Sequence, residues 1–276
     1  MDACGNGAED PRTSYALRMA AVTAGADAML AAALDAAPEP LPEDWEAVQG
    51  SLAADLLHPR ELLAGDPAVT AAFSASFARA NEAAGRSDRA CILAKGSETA
   101  LARLWHISGA KRDPPRMLGV ASLVYLAVQE RLFSDPFSEQ DAAAAAPGAF
   151  FSERRKIAES IFPSGDMSKE CSHVLALKSA SDAQVRSRLL TAARRWNRIR
   201  DALDAQLMYW PRMQAMLKAA ELPTTPEEIG LSPERISASV LAMPFFFRRY
   251  GLADLAFETG RIADCAMAVL ERWKKS

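Results

Sequence analysis

Larger apolar residues recur at spacings close to three and four along most of the chain, the pattern of helices with one face turned to a core. From Ser14 to Ala36 these are Leu17, Met19, Val22, Met29, Leu30 and Leu34, set among alanines, until Pro38, Pro40 and Pro42 break the run. Asp66-Pro67 is an N-cap followed by proline at the first helical position, and predicts a helix through Phe73 and Phe77 towards Gly85. Ser97 with Thr99–Leu104 predicts another, stopping at Gly109. Pro114-Pro115 opens an apolar helix to Phe133, and Gln140–Ala146 forms an alanine-rich one ending at Pro147-Gly148. Ser181-Asp182 caps a long helix through Val185, Leu189, Leu190, Trp196, Ile199, Leu203 and Leu207. Trp210-Pro211 starts a shorter helix to Leu222, and Thr224–Gly230 is a turn. Ser232-Pro233-Glu234 is a further start, and a last helix runs from about Arg261 to Trp273. No βαβ unit, alternating β-branched run or repeat period competes with this pattern. The expected fold is all-α, a multi-helix bundle: residues 1–12 a disordered tail, 13–276 one domain.

Composition agrees. The 276 residues are 50% hydrophobic, ample for a core, and about a fifth are alanine, the best helix former. Lys+Arg 32 against Asp+Glu 35 leaves a net charge of -3, with no global field to gather nucleic acid or anionic lipid. The start of the chain lacks a signal peptide's basic and apolar regions, and the weakly charged stretch Leu118–Val128 is too short to span a bilayer. Cys4, Cys91, Cys171 and Cys265 are scattered, without CxxC or zinc spacing. Reduced thiols, a cytoplasmic location, no membrane contact and no nucleic-acid partner are the expectations.

Chemistry-bearing motifs are scarce. Gly5-Asn6-Gly7 is the only GxG, without a strand before it, so no nucleotide loop is expected. His58, His106 and His173 are far apart and form no metal-binding pair. Cys171 and His173, two apart on a helix, point about 200° apart and cannot bond directly; Glu170 suits His173 only if another element brings it round. Arg186, Arg188, Arg194, Arg195, Arg198 and Arg200 crowd one helix. Without an aromatic platform or basic tail, they read as a solvated face near Asp201 and Asp204 rather than a phosphate-binding one.

Several segments carry a more particular signal. Gly96-Ser97-Glu98-Thr99-Ala100-Leu101-Ala102-Arg103 is similar to a "GSEHLISH" helix, and Arg116-Met117-Leu118-Gly119-Val120-Ala121 to an "HGExVGVA" segment. Ile161-Phe162-Pro163 precedes Lys169-Glu170-Cys171. Further on come Leu222-Pro223-Thr224-Thr225-Pro226-Glu227-Glu228-Ile229-Gly230-Leu231 and Arg249-Tyr250-Gly251-Leu252-Ala253-Asp254-Leu255-Ala256. Together these resemble the C-terminal helical half of glycerol-1-phosphate dehydrogenases, within the iron-containing alcohol dehydrogenase and dehydroquinate synthase-like group. The resemblance spans roughly residues 14–260.

The resemblance implies a domain whose chemistry has been lost. The family's nucleotide-binding α/β domain has no counterpart here. Aligned on Thr23–Asp27, the family's metal-ligand columns fall at Leu17, Arg103 and Pro114; leucine and proline side chains cannot ligate, and arginine repels a divalent cation. The expectation is therefore a pseudoenzyme with no metal and no cofactor. It would act through a protein partner or self-association, using surfaces near Leu17, Arg103–His106 and Arg116–Leu118. Alternatively it would bind an anionic small molecule, a phosphate or carboxylate, in a pocket formed by Glu98, Arg103, His106 and Arg116. A different reading makes it the substrate subunit of a split NAD(P)-dependent glycerol-phosphate or polyol dehydrogenase, with Arg103 as a fixed cation.

Overall fold

The fold is that of a computed structural model, which describes residues 10–36, 41, 43–85, 101–102, 104–106, 110, 114–145, 147–162, 164–206 and 208–274. Helix makes up 79% of it, and there is no strand among the described residues. In chain order the helices are α1 (Pro11–Ala33), α2 (Trp45–Asp55), α3 (Pro59–Leu63), α4 (Pro67–Gly85) and α5 (Pro114–Leu132). They continue as α6 (Glu139–Ala144), α7 (Pro147–Ile161), α8 (Gly165–Leu177), α9 (Asp182–Gln206) and α10 (Trp210–Ala219). A 3-10 turn (Glu227–Ile229) leads to α11 (Pro233–Phe246), α12 (Leu252–Glu258) and α13 (Ile262–Lys274). Residues 101–102 and 104–106 are also helical; Glu98, Arg103, Gly5-Asn6-Gly7 and Pro38–Pro40 lie outside the described residues.

Local chemistry sets the helix starts. Asp66 accepts from the Ala68 and Val69 amides at 2.9 and 3.1 Å, and Ser138 forms a reciprocal capping box with Asp141. Ser181 and Gln184 make the same exchange at the head of α9. The first helix begins at Pro11, inside the expected tail. Asp10 there accepts from the Arg12 amide at 3.2 Å, with proline at N1. Five helices, α2, α3, α7, α8 and α12, have no counterpart in the periodicity reading. The start of α7 is Pro147, the residue expected to end its predecessor, and α8 opens behind Gly165 at φ 87. Proline stops one helix and fits the first turn of the next, so one residue serves both.

The core gathers around α5, whose residues Met117–Val128 are buried on every side. The helices α1, α10, α12 and α13 pack against it, and α11 lies across α13. At its C-terminus Arg261 donates to the carbonyls of Leu132, Asp135 and Pro136 at 2.9, 2.8 and 2.6 Å, satisfying groups the helix leaves unpaired. By length and composition it is α1, not Leu118–Val128, that suits a membrane crossing, yet 78% of its most apolar window is buried inside the protein. It is the core partner of α5. Where α2 crosses α1, the Gln49 amide lies over Gly25; a Cβ there would fall 1.2 Å from its nitrogen, so only glycine permits this approach.

Buried thiols and phenols make stability fall in alkali. Burial raises the Cys171 thiol to about 11 and the Cys265 thiol to about 12, from an ordinary 9.0, and pushes the Tyr15 and Tyr250 phenols upward too. These acids hold their protons in the folded state after the unfolded chain has lost them, so stability drops as pH climbs from about 9 towards 11–12. Lys178, lowered mainly by burial, acts in the opposite sense but is one group against four. Urea unfolding at pH 10.5 should give a stability lower than at pH 8 by about 1 kcal/mol or more. Equal midpoints would contradict the assignment.

Candidate functional site

Most charged residues of the interior converge at one end of the bundle, where α7, α8, α9 and α12 meet behind α1; Arg18, on Phe73 and Ser14, lies apart. Asp254, on the first turn of α12, accepts from Lys178 Nζ at 2.9 and 3.1 Å and lies 3.2 Å from Arg154 Nη1. Glu258, one turn on, takes the Arg188 fork at 2.9 and 2.5 Å and the Tyr250 hydroxyl at 2.8 Å, with Arg154 Nη2 3.6 Å away. Side-chain exposure is 1% for Asp254, 2% for Glu258, 5% for Lys178, 7% for Arg154 and 12% for Arg188. Such charges persist away from water only when paired and hydrogen-bonded, as here.

Helix geometry explains why these partners meet. Asp254 and Glu258 are four residues apart and share one face of α12, which they present to α7 (Arg154) and to the neighbouring ends of α8 and α9 (Lys178, Arg188). Lys178 also donates to the Pro244 carbonyl at 2.5 Å, placing a cation at the carbonyl end of α11. Asp27, buried in α1, accepts from the Tyr125 hydroxyl at 3.0 Å and from the Leu252 amide at 2.7 Å, and so caps α12 from a distant part of the chain.

Burial lowers the Lys178 ammonium, with Arg154 adding to the effect, while Asp254 opposes both. Arg188 is held upward despite burial, because Glu258 is hydrogen-bonded to it and Tyr250 and Asp254 lie close. Its guanidinium also stacks over the Tyr250 ring at 4.4 Å. Burial first, and then Glu258, keeps the Tyr250 phenol protonated.

Above this network opens a cavity of about 440 Å³. One wall carries Lys178, Arg188, Arg248, Arg249 and Tyr250. The other is the small-residue face of α1, Ala24, Ala28 and Ala31, with Asp27 deep and Asp35 at its end. Leu34, Leu177 and Phe247 add apolar surface. Arg188 spends Nε and Nη2 on Glu258; Nη1 has no hydrogen-bond partner among the described residues. The cavity therefore combines an available guanidinium donor, backed by a buried pair, with an apolar wall. That is the construction of a small-molecule site.

The sequence-derived candidates lie elsewhere. His106 is exposed, and Arg116, exposed on α5, borders a different surface cavity of about 470 Å³ with Arg12, Lys218, Glu221 and Glu228. Glu98 and Arg103 fall outside the described residues. Leu17 is half-buried against the core, and Met117 and Leu118 are buried. The exposed large hydrophobics Leu57, Ile161, Leu177, Tyr209 and Met267 sit on separate elements. Cys171 is buried and His173 exposed, on opposite sides of α8, and Glu170 pairs with Arg248 at 2.8 Å. Of the arginines on α9, Arg188 departs from the solvated-face expectation. Arg194 meets it, pairing at the surface with Glu139 at 3.0 Å. Among the described residues no three His, Cys, Asp or Glu side chains are grouped to hold a metal.

No protein-family profile, curated protein or solved structure matches this chain.

Proposed function

We propose that this is a non-catalytic binding protein that takes a small anionic molecule, a phosphate or carboxylate, in the cavity between α1 and the Lys178–Arg188–Tyr250 wall. The observation that carries the reading is Arg188: a cavity-lining guanidinium fixed by Glu258 and stacked on Tyr250, whose Nη1 has no hydrogen-bond partner among the described residues. A guanidinium held in this way is pre-organised to donate its remaining N–H groups to an anion's oxygen, and loses little freedom when it does so. The apolar wall of α1 suits a short hydrocarbon body behind the charged group. The ligand class is the one the dehydrogenase resemblance also implies; the residues that hold it are different.

Ethyl phosphate and propionate are suitable probes. Isothermal titration should show saturable binding of at least one, weakened about tenfold or more in a double variant, Arg188→Gln with Glu258→Gln. That pair removes both charges together and leaves two amides to bond each other, which protects the fold. Absence of saturable heat with both probes would overturn the proposal, as would undiminished affinity in the double variant.

A further inference from the structure

The end of α1 contains a residue that is locally out of place twice over. Ala36 N donates to the Ala31 carbonyl at 2.8 Å and Asp35 N to the Ala32 carbonyl at 3.3 Å, the two bonds of a Schellman ending. The residue between them must be left-handed, and Asp35 has φ 53. Glycine is the usual occupant, because a Cβ is disfavoured there. A carboxylate is also the wrong charge for the negative end of a helix.

A second helix of the same protein makes the comparison. The ending of α10 repeats both bonds, Leu222 N to the Leu217 carbonyl at 3.0 Å and Glu221 N to the Lys218 carbonyl at 3.1 Å, with Glu221 at φ 54. There the acid has a use: it accepts from Arg12 Nε at 3.1 Å and ties α10 to the start of α1. Asp35 has no such partner among the described residues, yet it borders the cavity above the charge network. Where a chain breaks a local rule without an internal return, function is the first place to look.

We infer that Asp35 receives the positive end of the ligand, so that the cavity selects a zwitterion: an anionic group at the Arg188 wall and an ammonium at the mouth. The inference rests on the anion-binding reading above and extends it. Asp27 lies eight residues earlier on the same helix, about 12 Å deeper along its axis, and its carboxylate is engaged by Tyr125 and Leu252. The exposed acid at the rim is the one left for a ligand's cation. Asp35 and Arg188 line the same cavity, and the α1 alanines form its apolar wall, so a carbon chain joining ammonium to phosphate or carboxylate can lie along that side.

Matched probes separate the two ideas. Phosphoethanolamine differs from ethyl phosphate, and β-alanine from propionate, by the ammonium alone. Titration calorimetry at pH 7 should show the zwitterion of at least one pair binding about threefold or more tighter than its partner, the scale of an ion pair at a solvent-exposed carboxylate. Asp35→Asn should abolish that preference. Asparagine tolerates the left-handed position, so the variant keeps its helix ending. Equal binding within both pairs overturns the zwitterion assignment and leaves the anion site standing, and a preference that survives in Asp35→Asn overturns the role of Asp35. If none of the four probes binds, both readings fail together.

Discussion

Asp254→Asn should be the most damaging single substitution in the charge network, costing about 3–5 kcal/mol of folding stability. The side chain is 1% exposed and faces two cations, Lys178 and Arg154, that are themselves 5% and 7% exposed. Asparagine keeps the shape and can still accept from the Gly251 amide, which Asp254 Oδ2 now binds at 3.1 Å. What it removes is the negative charge, and the two cations would then share Glu258 with Arg188. An uncompensated charge in the interior is penalised far more than the loss of a good pair. Urea unfolding measures the cost directly. Adding Lys178→Met to Asp254→Asn takes away the stranded cation as well, and should recover a large part of the loss. A cost below about 1 kcal/mol for the single variant would show that water reaches the site.

The sequence made the helices legible wherever a cap and a proline stood together, as at Asp66-Pro67 and Ser232-Pro233, or a cap stood before an acidic first turn, as at Ser181-Asp182. Those starts depend on residues within one turn of each other. The long apolar α5 was equally plain, since burial on all sides leaves a nearly continuous hydrophobic run. The paired helices α7 and α8 were not, because Pro147 and Gly165 read as breaks. The cavity was out of reach for a different reason. Its floor is assembled from residues 154, 178, 188, 254 and 258, whose ion-pair partners are 70 or more positions distant along the chain. Arg188 looks like its neighbours Arg186 and Arg194 in sequence; only the packing of α12 against α9 singles it out. One local trace existed: Asp254 and Glu258 are paired acids at helical spacing in an otherwise apolar segment, which predicts cations brought to them from elsewhere.

Gly251→Ala should destabilise the protein by about 2–3 kcal/mol, for a reason unrelated to glycine flexibility. Gly251 has an extended backbone, φ -154 and ψ -167, that any residue adopts. The obstacle is Asp27: a Cβ would lie 2.7 Å from Oδ1, 2.8 Å from Cγ and 3.0 Å from Oδ2. That carboxylate cannot retreat freely, since it is 1% exposed and holds the Tyr125 hydroxyl and the Leu252 amide. Displacing it strains the core and weakens the cap that starts α12, and α12 carries both acids of the charge network. The damage should therefore reach the cavity, with anion affinity falling alongside stability. A double-mutant cycle isolates the cause. Asp27→Ala alone strands two buried donors and is costly. Adding Gly251→Ala to it should then cost less than about 0.5 kcal/mol, because the atoms that the methyl group would strike are gone. If instead the two losses add, the close approach of Asp27 to Gly251 is not what excludes a side chain, and the demand for glycine lies in the backbone of the loop from Phe247 to Gly251.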